Sequence, residues 1–176
     1  MSKQPPSEYQ RPSLQKGGLQ LSGEALIELM LAVHAKGLPF RFSAAGHSMA
    51  PFIRDRDVIT VSPLASRKPG RGDVVAFIHP ETKMLGIHRL LAFKGTRFLI
   101  QGDNMPETPD GMIRREAVLG RVTRVERGSQ RVRFGLGPER RLIALLSHRG
   151  WLTVIRYYAG PLYRYFKRRR PACEKG

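Results

Sequence analysis

From Phe40 onward the apolar residues come in short runs, broken at close intervals by glycine and proline. Such punctuation restricts a chain to short strands joined by tight turns. Phe40 and Phe42 alternate with Arg41 and Ser43, and Val58, Ile59 and Val61 form a second candidate strand. Val74 to Ile78 is apolar and rich in β-branched residues, and follows the turn sequence Lys68-Pro69-Gly70-Arg71-Gly72-Asp73. Gly86 to Phe93, Phe98 to Gln101 and Val118 to Val125 continue the pattern. The spacing predicts a mainly β fold, with one compact β domain over residues 39–134.

A helix is expected before it, over residues 21–38. Ser22-Gly23-Glu24-Ala25 resembles a capping box that lacks its final acid. Leu26, Ile27, Met30, Leu31 and Val33-His34 give an amphipathic stripe that ends at Gly37, and Pro39 blocks its continuation. Residues 1–20 are polar, with Pro5, Pro6, Pro12, Gly17 and Gly18, and read as a flexible leader without the apolar core of a signal peptide. Gly135-Leu136-Gly137-Pro138 reads as a linker into a basic, aromatic, helical tail over residues 135–176.

Net charge is +17 and the sequence pI is near 11.2. Residues 127–176 carry 13 Lys and Arg against two acids, Glu139 and Glu174, so the excess is concentrated in the tail. A chain of this charge is drawn to polyanions, either nucleic acid or an anionic membrane face. Trp151 to Phe166 mixes aromatics with Arg156 and Arg164 and runs into Lys167-Arg168-Arg169-Arg170. This suits an interfacial helix on anionic lipid through residues 142–170, or equally an amphipathic helix packed on the domain. Gly160-Pro161 kinks or splits either one. No apolar stretch approaches the roughly 20 residues a spanning helix needs. The single cysteine, Cys173, excludes an internal disulfide and a cysteine-based metal site.

Three segments could carry chemistry. Gly46-His47-Ser48-Met49-Ala50-Pro51 offers a serine in a sharp turn, where a nucleophile needs an exposed hydroxyl, backbone N–H groups and a nearby base. Ile87-His88-Arg89-Leu90-Leu91 puts a histidine in an apolar strand, and imidazole can take a serine proton near neutral pH. Gln101-Gly102-Asp103-Asn104 and Pro109-Asp110-Gly111 supply acids that could orient that histidine. Each alone has an ordinary reading: a loop serine, a packed histidine, turn chemistry.

Their order and spacing resemble the signal peptidase I family. The family's serine box corresponds to Ser48-Met49-Ala50-Pro51, and its next acidic turn and strand to Asp57-Val58-Ile59. The Gly-Asp-hydrophobic box corresponds to Gly72-Asp73-Val74-Val75, the base box to His88-Arg89, the Gly-Asp-Asn box to Gly102-Asp103-Asn104, and the closing strand to Gly120-Arg121-Val122. Bacterial members use a lysine base; a histidine at that place marks the archaeal and endoplasmic-reticulum type. The resemblance implies a Ser48-His88 peptidase without cofactor or metal, completed by Asp110, with Asp103 as the alternative. It implies the Ser48 N–H as oxyanion donor and an extended peptide or pre-protein as substrate. Gly46 stands where bacterial relatives often carry a hydroxyl, so a second oxyanion donor is not supplied there. Most members also carry a membrane anchor before the serine box; here only the short helix occupies that place.

The expected function is removal of leader or signal peptides by a membrane-associated, peripheral or monotopic enzyme, with a cytoplasmic enzyme as the alternative. A LexA-type self-cleaving domain shares the β fold but uses a lysine base and a DNA-binding helix-turn-helix. A basic nucleic-acid-binding module is the non-enzymatic alternative. The clustering of charge in the tail and the lack of a base-stacking motif in the β region argue against nucleic acid as partner.

Overall fold

The computed structural model describes residues 22–105 and 111–148. Its first element, α1 (Gly23–Ala35), begins where the Ser22 side chain accepts the Ala25 N–H at 3.2 Å. Three residues along it, Leu26, Ile27 and Met30, are buried. The helix stops at Lys36, and Gly37 follows with φ +73°, a conformation that costs glycine little.

Eight strands follow: β1 (Phe40–Ser43), β2 (Val58–Pro63), β3 (Val74–Ile78), β4 (Leu85–Lys94), β5 (Arg97–Gln101), β6 (Met112–Arg114), β7 (Val118–Arg127) and β8 (Gln130–Val132). They form one sheet in the order β1-β2-β7-β3-β4-β5-β6, with β8 paired to β7. Every pairing is antiparallel. The mainly β fold expected from the sequence is therefore the fold found. A second helix, α2 (Arg140–His148), follows the last strand.

The sheet has an apolar cluster on each face. On one, Phe42, Ile59, Val61, Val74, Ala76, Val122 and Val125 pack under Leu26, Ile27 and Met30 of α1. On the other, Val75, Phe77, Leu90, Phe98, Ile100, Ile113 and Val118 form a second cluster. Adjacent residues of β3 alternate between the two, as the period of a strand requires. His34 ties α1 down: its ring nitrogens lie 3.2 Å from the Leu119 carbonyl oxygen and 3.1 Å from that of Val61. Gly120 passes beneath, where a Cβ would stand 2.8 Å from the His34 ring.

Three aspartates are buried against arginines distant in sequence. Arg127 reaches Asp57 at 2.8 and 2.9 Å, Arg89 reaches Asp103 at 2.6 and 2.8 Å, and Arg140 Nε stands 2.9 Å from Asp73 Oδ1. The last is an ion pair without hydrogen-bond alignment. The Gly135–Pro138 stretch, read from sequence as a linker, is packed into the body. The Gly135 carbonyl accepts a hydrogen bond from Arg89 at 2.9 Å, and the Phe52 ring lies where a Gly135 side chain would go. Ile143, Ala144 and Ser147 of α2 are buried. Among the described residues no helix is long and apolar enough to cross a membrane. The predicted leader, the tail beyond residue 148 and Asp110 lie outside the described residues.

Candidate active site

Ser48 sits in the loop between β1 and β2, and that loop is fastened at several points. Gly46 has φ +91° and donates its N–H to Asp55 Oδ1 at 3.0 Å. The Ala50 N–H bonds the His47 carbonyl at 3.0 Å, and the Phe52 and Ile53 N–H groups both bond the Met49 carbonyl at 3.1 Å. Met49, Phe52 and Ile53 are buried, so their side chains hold the loop to the core, while Pro51 is exposed. The Ala50–Pro51 peptide is cis. Asn104 clamps the loop from above: its N–H bonds the Ser48 carbonyl at 2.7 Å, and its side-chain amide donates to the His47 carbonyl at 3.1 Å.

His88 lies in the middle of β4, opposite Val75 of β3, and is only 2% exposed. The Phe77 ring packs beside it, 5.8 Å between centroids. Its Nε2 stands 2.9 Å from Ser48 Oγ. Ser48 itself is half-buried, so the pair has one wet side and one dry side. A hydroxyl at hydrogen-bond distance from a held imidazole is the pairing that nucleophilic catalysis by serine requires. The β4–β5 register sets Arg89 against Gln101, which brings Gly102 opposite His88. A Cβ on Gly102 would lie 2.8 Å from the Ser48 carbonyl oxygen and 3.2 Å from His88 Nε2. Only a glycine lets this segment approach both residues so closely.

Next to the pair is a fully buried ion pair. Arg89 gives Nε and Nη2 to the two Asp103 carboxylate oxygens, and Nη1 to the carbonyls of Gly72 (2.8 Å) and Gly135 (2.9 Å). Its guanidinium also lies 5.3 Å from the centre of the Phe52 ring. Both Asp103 oxygens are thus engaged by Arg89, and this carboxylate holds the loop that carries Gly102 and Asn104.

Of the residues singled out by sequence, Ser48 and His88 are brought together, Met49 and Pro51 shape the serine turn, and Asp103 is turned to Arg89. Arg89, Gly102 and Asn104 belong to the site without having been assigned a role from sequence. The signal for them was the juxtaposition of His88-Arg89 with Gly102-Asp103-Asn104, which needs the strand register to read. Among the described residues no group of three His, Cys, Asp or Glu side chains is placed to hold a metal ion. No family model, curated protein or solved structure matches the chain, so the site has to be read from its own geometry.

Proposed function

We propose that this chain is a serine endopeptidase similar to signal peptidase I, acting on leader or signal peptides. The observation that carries the reading is the 2.9 Å contact between Ser48 Oγ and the buried His88 Nε2. In the proposed reaction Ser48 Oγ attacks the scissile carbonyl carbon while its proton passes to His88 Nε2. The oxyanion is met by the Ser48 N–H. As the tetrahedral intermediate collapses, His88 returns the proton to the leaving amine, and the peptide remains as an ester on Ser48. Water then gives a proton to His88 and attacks the ester; as this second intermediate collapses His88 returns the proton to Ser48 Oγ, and the acid product leaves and ionises to solvent. Asp110 takes the orienting role on His88, since both Asp103 oxygens are already held by Arg89.

The same reading puts the enzyme at an anionic membrane as a peripheral protein, through residues 142–170. The net charge of +17 and the exposure of Leu142 on α2 support that placement.

The test is cleavage of a pooled leader-peptide library by purified protein with lipid present, beside Ser48→Ala, His88→Ala, Asp110→Asn and Asp103→Asn. Cleavage after small residues is expected, lost in the first two variants and lowered roughly 10²–10⁴-fold in Asp110→Asn with the fold intact. Cleavage that persists in Ser48→Ala and His88→Ala overturns the assignment. A correctly folded Asp103→Asn that loses as much activity as Asp110→Asn transfers the orienting role.

A further inference from the structure

Directly opposed residues of an antiparallel pair point to the same face. His88 opposes Val75, Val75 opposes Arg121, and Arg121 opposes Ser62. These four residues therefore form one row across β4, β3, β7 and β2. Gly120, the neighbour of Arg121, faces α1 on the other side. Arg121 is thus on the His88 face, two strand spacings or about 10 Å away.

Its environment differs from that of the other inward arginines. Arg89, Arg127 and Arg140 are each matched to a buried aspartate. Arg121 is half-buried, yet none of the ion pairs or side-chain hydrogen bonds among the described residues involves it. A planar guanidinium with five donors, half-buried on the His88 face and lacking an acid of its own, is suited to receive a carboxylate. The same face stays basic beyond it. Thr60 opposes both Arg41 and Arg124, and Glu126 opposes Arg131. Among the described residues this patch holds one acid, Glu126, shared by Arg41 and Arg124 at 2.7 and 2.8 Å. Arg131 and Arg133, both exposed, line a cavity of about 260 Å³ with Thr123.

We infer that Arg121 is a specificity residue that binds a carboxylate of an acidic peptide substrate, within about three extended residues of the scissile bond. The inference deepens the Ser-His reading and rests on it. An acidic peptide is preferred over a phosphate polymer because this guanidinium without an acid of its own lies on the same face of the sheet as the proposed base.

The experiment is fluorescence anisotropy of a fluorescein-labelled hexaglutamate peptide with the full chain, beside labelled hexaglutamine. Hexaglutamate is expected to bind at least roughly tenfold more tightly, and Arg121→Gln to remove roughly tenfold of that affinity. Arg121→Lys should recover part of it. Arg114→Gln removes the same charge from β6, at the far side of the sheet, and should change affinity by less than about twofold. Equal losses in Arg121→Gln and Arg114→Gln overturn the inference. So does an anionic phospholipid vesicle or an RNA oligonucleotide that binds through Arg121 more tightly than hexaglutamate. A fluorophosphonate probe, which phosphonylates serine nucleophiles with loss of fluoride, separates the two claims. If Ser48 reacts in a His88-dependent way but hexaglutamate binding ignores Arg121, the specificity residue is lost and the peptidase reading stands. If hexaglutamate binds through Arg121 and slows labelling of Ser48, both stand. If it binds through Arg121 while Ser48 is inert, the peptidase reading falls and with it the substrate role of Arg121.

Discussion

Replacing Gly102 with alanine tests whether the Ser48–His88 contact depends on the close approach of a third backbone segment. Gly102 lies outside the left-handed region, so alanine pays nothing for backbone conformation there; its cost is contact alone. The added methyl would stand 2.8 Å from the Ser48 carbonyl oxygen and 3.2 Å from His88 Nε2. The first distance is about 0.6 Å inside the onset of ordinary van der Waals contact, so the serine loop, the histidine or both must move by several tenths of an ångström. That displacement is a sizeable part of the tolerance of a 2.9 Å hydrogen bond. An effect of roughly 10- to 100-fold on the rate of Ser48 phosphonylation by a fluorophosphonate is expected, about 1.4–2.7 kcal/mol in the barrier. Stability should fall by about 1–3 kcal/mol, the usual cost of overpacking. Gly46→Ala is the matched control, because its reasons are reversed. Nothing lies within 4 Å of a Cβ there, but φ is +91°, so its cost is roughly 1 kcal/mol of backbone conformation with no methyl pressed on the pair. The assay is the fluorophosphonate labelling rate, with urea denaturation of both variants alongside. A Gly102→Ala protein that labels Ser48 as fast as the unmodified chain would show that the approach of this segment does not set the geometry of the pair.

Two further outcomes follow from the charged groups. Arg89→Met leaves the Asp103 carboxylate buried without its partner and should cost about 3–5 kcal/mol in urea denaturation, while Arg89→Met with Asp103→Leu should recover most of it; a single variant losing under about 1 kcal/mol refutes the buried-pair argument. Burial acts to raise the pKa of Glu139, but its own N–H, those of Gly135 and Gly137, and the charge of Arg140 outweigh this and hold it below the ordinary 4.5. The stabilisation is therefore complete above pH 4.5 and lost as the pH falls through the lower folded value. Glu139→Gln should flatten the acid limb of the thermal stability curve, and an unchanged acid limb counts against the hydrogen-bonded carboxylate.

Much of the fold was legible in the sequence because its strands are spelled by apolar, β-branched runs between turn residues. The six longer strands and α1 lie where Phe40–Phe42, Val58–Val61, Val74–Ile78 and their successors placed them. β6 and β8 did not announce themselves. Each has three residues, and β6 is defined by pairing Ile113 with Phe98, a tertiary contact with no local signature. The linker reading of Gly135–Pro138 erred for an identifiable reason. Glycine marks flexibility and close approach alike, and here Gly135 is small because the Phe52 ring fills the space beside it. In the candidate site, residue types and spacing singled out Ser48 and His88, which the fold brings to 2.9 Å of each other. They did not reveal the partner of Asp103, because a carboxylate two residues past a strand can turn either way until the neighbouring strand's register is known.

That register also determines what belongs to the site. One guanidinium, Arg89, follows the proposed base in β4 and binds the loop that clamps Ser48, the turn at Gly72 and the carbonyl of Gly135. The Gly72 turn is in contact with the first turn of α2, where a Gly72 Cβ would meet the Arg140 carbonyl at 2.5 Å, and Asp73 holds Arg140 itself. Movement of α2 therefore loads two of the acceptors of Arg89 at once, and through Asp103 it loads Gly102 and Asn104. Sequence distance hides this, since α2 begins 92 residues after Ser48. The segment from Gly135 to His148 is therefore tied through Arg89 and Asp103 to the loop that clamps Ser48, as well as being the start of the basic tail.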